Sequence, residues 1–145
     1  MQTTDTCSYS VLMSIYKNEK PAFLIQALDS MLNQTVSPSE IVMVKDGPLT
    51  SELENVLSNF ASEHSGLFKF VSYEKNHGLG YALRQGMLAC TNEIVARMDT
   101  DDVARSDRME KQLAAICSGL DMVGSDVVEF VESPDKPVAL TDLPK

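Results

Sequence analysis

Asp99, Asp101 and Asp102 fall within four residues, directly after the short apolar run Ile94 to Met98. A strand that delivers Asp-x-Asp-Asp to its C-terminal end places hard oxygen ligands at a sheet edge. Divalent cations such as Mg²⁺ and Mn²⁺ take such ligands and share them with substrate phosphates. Asp46 ends an earlier apolar run and is expected on the same edge. Like charges gathered there are unfavourable unless a cation or ligand offsets them. A solvated turn and helix start is the plainer reading of the three acids, since carboxylates favour helix N-termini. Asp46-Gly47 is likewise an ordinary turn pair, and its functional reading is a carboxylate that accepts from a base N–H or a ribose hydroxyl.

Asn76-His77-Gly78-Leu79-Gly80 opens a helix after a strand. It matches neither the dinucleotide nor the P-loop fingerprint, although its glycines would let backbone approach a ligand. Arg84, further along that helix, is a candidate for a diphosphate. His77 has no His or Cys partner at metal-ligand spacing. Arg97 and Arg105 flank the acidic loop, and salt bridges to it are their default reading.

The elements that must position these residues alternate. Tyr9 to Tyr16, Ile41 to Lys45, Phe68 to Tyr73 and Ile94 to Met98 read as short buried strands. Helices are expected over Pro21 to Asn33, Ser51 to His64, Gly78 to Cys90 and Asp107 to Ser118. Pro21 suits a first helical turn, and Ser51-x-x-Glu54 reads as a capping box. Leu79, Ala82, Leu83, Gly86 and Met87 are expected on one apolar side of the third helix. Met122 to Val131 reads as a further strand, broken at Gly124-Ser125. Ser133 to Lys145 shows no periodicity and reads as a linker. Short apolar strands separated by amphipathic helices predict an α/β fold with a mainly parallel sheet covered on both faces. Ligands then bind beyond the carboxyl ends of the strands.

The 145 residues suit one domain, and 43% hydrophobic content fits a globular chain. A net charge of −9 argues against a nucleic-acid surface. Cys7, Cys90 and Cys117 are scattered and fit reduced thiols, with Cys90 and Cys117 expected in the core. The polar start Met1 to Thr6 lacks a signal pattern, and no apolar run approaches the ~20 residues that span a bilayer. A cytoplasmic protein is expected, with any membrane association peripheral and through other regions.

In order, VLMSIYKNE, ALDSMLNQT, EIVMVKDG, NHGLGYALRQG and ARMDTDD with DRMEKQ resemble the glycosyltransferase family 2 pattern over residues 9–125. The resemblance implies a Rossmann-like GT-A fold in three α/β/α layers. It implies inverting transfer of a sugar from a nucleotide-diphosphate donor, usually a UDP-sugar, with Mn²⁺ or Mg²⁺ on the diphosphate. The acceptor would be a saccharide or lipid-linked saccharide, in bacterial cell-surface polysaccharide synthesis.

Carried over, Asp46 matches the acid that contacts uracil. The backbone around Ser14, Ile15 and Tyr16, with Glu19 after it, matches the nucleoside-binding first loop. Asn76, Gly78, Gly80 and Arg84 match the segment beside the nucleotide. Asp99 and Asp101 match the D-x-D, with Asp101 or Asp102 the direct metal ligand and Asp99 also near the ribose. Arg105 and Arg108 lie in the helix entry that follows. Of the family's Asp-Asp-Gly-Ser only the second acid is present, in Lys45-Asp46-Gly47-Pro48. Residues 1–131 are thus expected to form the donor-binding domain. Residues 132–145 would be a linker or the start of the acceptor-binding half, with the general base beyond Lys145. A D-x-D phosphohydrolase and a phospho-receiver domain are the rival readings; both normally place acids after the first strand.

Overall fold

Strands β1 (Tyr9–Ile15) and β2 (Glu40–Lys45) are apolar on both faces, and each face has a helix layer to bury it. The computed structural model describes residues 7–130, 133–135 and, for the backbone, 137–141. The remaining strands of the main sheet are β3 (Phe68–Ser72) and β4 (Ile94–Arg97), and the helices are α1 (Pro21–Leu32), α2 (Ser51–Glu63), α3 (Leu79–Ala89) and α4 (Arg108–Cys117).

The sheet is parallel throughout, in the order β3-β2-β1-β4. The chain winds outward from β1 to β3 and then returns to the other side of β1. That reversal creates a switch point between β1 and β4, where the connecting loops part and leave a crevice.

Side-chain alternation along β1 divides the core. Tyr9, Val11, Met13 and Ile15 face α1, α2 and α4, where they meet Leu24, Leu28, Met31, Leu53, Leu57, Met109 and Leu113. Leu12, with Val42 and Val44 of β2, faces α3 and packs on Ala82. The result is the expected three-layer arrangement.

Gly86 sets how closely α3 approaches. A Cβ built there would lie 2.2 Å from Leu12 Cδ1 and 2.8 Å from Val44 Cγ2. Gly86→Ala is expected to force α3 off the sheet at a cost of about 1–3 kcal/mol, despite alanine's higher helix propensity. Urea denaturation of the two chains measures it.

Several expectations are corrected. Helix α2 is capped by Thr50, whose hydroxyl accepts from the Leu53 amide at 3.3 Å. Ser51 is the first helical residue rather than the cap, and Glu54 pairs with Lys45 at 2.8 Å instead of closing a capping box. Leu79 and Met87 are exposed on α3, because only the narrow stripe through Ala82 and Gly86 fits against the sheet. Cys117 ends α4 and is exposed, while Cys90 is half-buried against the smaller core cluster.

The strand expected over Met122 to Val131 is confined to β5 (Val127–Phe130). It pairs antiparallel with β6 (Pro137–Thr141), outside the main sheet and within the stretch read as a linker. Periodicity was a poor guide because a short two-stranded ribbon needs no alternating buried face. Val131, Glu132, Lys136 and residues 142–145 lie outside the described residues, as do residues 1–6.

Candidate nucleotide and metal site

Parallel strands end together, so the loops after β1, β2, β3 and β4 share one edge. They enclose an open cleft of about 400 Å³. Ser14, Tyr16 and Glu19 line it from β1 and its loop, and Asp46 from the end of β2. Asn76, Gly78 and Leu79 line it from the α3 entry, and Asp99, Thr100 and Asp101 from the end of β4.

Asp99, Asp101 and Asp102 are exposed, and one carboxylate oxygen from each lies within 4.8 Å of the others. The Asp102 amide donates to the Asp99 carbonyl at 3.3 Å, which curls the loop and gathers the acids. Burial, then the charges of Asp101 and Asp99, hold the Asp102 carboxyl above the usual carboxylate range, against the pull of Arg108 and Arg97. Three converging hard oxygen donors with residual repulsion fit a divalent cation.

Arg97 pairs with Asp99 at 3.4 Å, as expected. Arg105 instead turns to Asp107 at 3.6 Å, away from the loop. Arg108 is half-buried and donates to the Arg97 carbonyl at 2.9 Å.

Asp46 is buried, and both its oxygens are engaged. Oδ1 accepts from the His77 amide at 2.8 Å and Oδ2 from the Gly78 amide at 3.1 Å. Asn76 donates to the Asp46 carbonyl at 3.3 Å and accepts from the Gly78 amide at 3.0 Å. A carboxylate retains further lone pairs, so Asp46 can grip this loop and still accept from a ligand. Gly47 makes the contact possible. Its φ is +86°, and a Cβ there would lie 2.8 Å from the Asn76 amide nitrogen.

Of the remaining expected residues, Ile15 is buried, while Gly80 and Arg84 are exposed on α3; none of the three lines the cleft. Glu19 is half-buried, and one of its oxygens accepts from the Thr100 hydroxyl.

Four residues that matter to the site were not singled out from sequence as site residues. Ser30 accepts from the Ala104 amide at 3.0 Å. Gln34 is buried; it donates to the Arg105 carbonyl at 2.6 Å and accepts from the Met109 amide at 2.9 Å. Together they fasten the segment after the acids to the end of α1. Thr100 is buried between two exposed acids. Tyr73 packs on His77 and Tyr81 behind the 76–78 loop, with ring centroids 5.4 and 5.2 Å away. Its hydroxyl is buried with no hydrogen-bond partner among the described residues, and burial, then nearby Asp46, pushes its pKa up. Gln34 lies just past the end of α1, and its place in the run Leu32-Asn33-Gln34-Thr35 was the one available signal.

The family model for glycosyl transferase family 2 matches residues 10–139. The amylovoran biosynthesis glycosyltransferase AmsE of Erwinia amylovora is 44% identical over 126 residues, covering 86% of this chain and 47% of that protein. The Escherichia coli UDP-Gal:alpha-D-GlcNAc-diphosphoundecaprenol beta-1,3-galactosyltransferase is 39% identical over 132 residues, covering 90% of this chain and 47% of its own. The chain thus spans about half the length of the curated relatives it matches. In fold it is similar to the mannosyltransferase PcManGT of Pyrobaculum calidifontis, solved with GDP-Man and Mn²⁺. That match has a TM-score of 0.64 and 24% identity, over 80% of this chain and 33% of the other. With a GT-A sheet, a cleft at its switch point and a family match over nearly its whole length, the chain belongs to glycosyl transferase family 2.

Proposed function

We propose that residues 1–131 form the donor-binding portion of an inverting, metal-dependent glycosyltransferase. It takes a UDP-sugar and serves bacterial cell-surface polysaccharide synthesis. The observation that carries this reading is that the three-acid loop after β4 and Asp46 after β2 border one cleft, with β1 between their strands. That spacing suits a ligand with a base at one end and a diphosphate at the other.

Exposed Tyr16 offers a ring for the base to stack on, and Asp46 offers a remaining lone pair to a base N–H. The backbone amides at the α3 entry face an anionic group favourably, because helix N-termini carry partial positive charge. Gly80 keeps that entry clear of side chain. Arg84 reaches the diphosphate if α3 or the donor brings them together. Asp99, Asp101 and Asp102 would hold Mn²⁺ or Mg²⁺, which when bound supplies a Lewis acid for charge on the leaving diphosphate. Asp99, salt-bridged to Arg97, is the acid best restrained to meet the ribose side.

The Escherichia coli relative's name, with UDP-Gal as donor and a diphosphoundecaprenol-linked sugar as acceptor, supports a uridine donor and a lipid-linked acceptor, and the AmsE name supports polysaccharide synthesis. No helix of the described residues is long and apolar enough to cross a membrane. Work at the cytoplasmic face of a membrane, through peripheral association, is the arrangement we infer.

Calorimetric titration of the chain with UDP, GDP and TDP, each with and without Mn²⁺, tests the reading. UDP should bind, and Mn²⁺ should tighten it. Tighter binding of GDP or TDP would change the donor base but keep the site. Absence of binding by all three would overturn the donor-site reading.

A further inference from the structure

The acidic loop is held at its far end by α1, through Ser30 and Gln34, but its tip is held by something else. The Thr100 hydroxyl donates to Glu19 Oε2, across 81 residues of sequence. Among the described residues this is the one hydrogen bond that joins the β1–α1 loop to residues 99–102. Glu19 is itself fixed. Its Oε1 accepts from the Lys20 amide at 2.9 Å, and its own amide donates to the Tyr16 carbonyl at 3.1 Å.

Thr100 lies between two acids of the cluster and is 5% exposed, while its neighbours Asp99 and Asp101 are open to solvent. Anchoring the middle residue inward obliges the flanking side chains to project outward. Without that anchor, three carboxylates that repel one another would separate further, since the exposed Arg97–Asp99 pair and the Asp102 amide bond to the Asp99 carbonyl restrain the loop only within itself.

We propose that Glu19 is a positioning residue for cation capture, acting through the Thr100 hydroxyl rather than as a ligand of the nucleoside. The proposal rests on the metal-site reading above. A carboxylate that orients ligand-bearing backbone from behind typically influences metal affinity about ten- to a hundredfold. A nucleoside ligand would influence nucleotide affinity whether or not metal is present. The two roles therefore separate by measurement.

Mn²⁺ binding would be followed by loss of the free-ion EPR signal on the chain and on Glu19→Ala, Thr100→Val, the double variant and Thr100→Ser. UDP affinity without metal and thermal melting would be measured on the same samples. Glu19→Ala and Thr100→Val should each weaken Mn²⁺ roughly tenfold or more. The double variant should be no weaker than either single one, since both remove the same bond. Thr100→Ser should restore wild-type affinity, and Glu19→Ala should alter metal-free UDP binding no more than Thr100→Val does.

Normal Mn²⁺ binding by both single variants would overturn the proposal and leave the metal site intact. So would a loss of metal-free UDP affinity in Glu19→Ala alone. A wild-type chain that binds no Mn²⁺ would overturn the metal-site reading together with it. A folding defect shows in the melting curve, and Thr100→Ser then decides by whether it restores both stability and Mn²⁺ affinity.

Discussion

Asp101→Ala should reduce Mn²⁺ affinity by more than the roughly ten- to hundredfold that loss of an outer partner costs, while leaving the metal-free fold intact. Asp101 is exposed within the cluster and is not part of the hydrophobic core. On the proposed metal site, its removal deletes an oxygen donor and one unit of negative charge, and both losses weaken binding of a hard dication. The same deletion relieves repulsion. Asp101 is the larger of the two charges holding Asp102 above its usual range, so Asp102 should titrate closer to an ordinary carboxylate in the variant.

A raised folded-state pKa means that the folded chain holds that proton more tightly than the unfolded one. Through Asp102, metal-free stability therefore rises as pH falls through the folded-state value, and this gain should shrink in the variant. EPR titration and melting curves across mildly acidic pH check both statements. Wild-type Mn²⁺ affinity in Asp101→Ala would remove Asp101 from the metal site.

Gln34→Leu is the second large expectation, and here stability moves. The side chain is buried and makes three hydrogen bonds: to the Ser30 and Arg105 carbonyls and from the Met109 amide. Leucine fills a similar volume but pairs with none of them. Orphaning the buried Met109 amide alone costs about 1–3 kcal/mol, and the carbonyls add to it. A loss of roughly 3 kcal/mol by urea denaturation is expected. Because the same amide fastens residues 105–109 to α1, Mn²⁺ affinity should fall as well, at temperatures where the variant is still folded. A variant as stable as the parent would mean that water replaces all three partners.

The architecture was legible because β1 and β2 are apolar at nearly every position, which only a sheet covered on both faces explains. The acid loop was legible because three like charges in four residues need an outlet. What escaped was set by relations that spacing does not encode. Leu79 and Met87 share a helical stripe with Gly86, but a backbone seated on Leu12 leaves no width to bury them. Thr50 and Ser51 are both capping residues by type, and it is Thr50 that takes the extended conformation a cap requires. Pairing of Thr100 with Glu19 and of Gln34 with Met109 joins residues 81 and 75 positions apart. No local pattern announces such bonds.

Asp46 holds the 76–78 loop by the amides of His77 and Gly78, not by the His77 side chain. Main-chain amides are common to every residue but proline. The identity of exposed Leu79, on the cleft rim, is thereby uncoupled from the loop's placement, whereas the His77 ring packs on Tyr73 and Tyr81. Change at position 79 can therefore reshape the rim of the cleft while the frame behind it stays put, which separates what the scaffold must keep from what a lineage is free to vary.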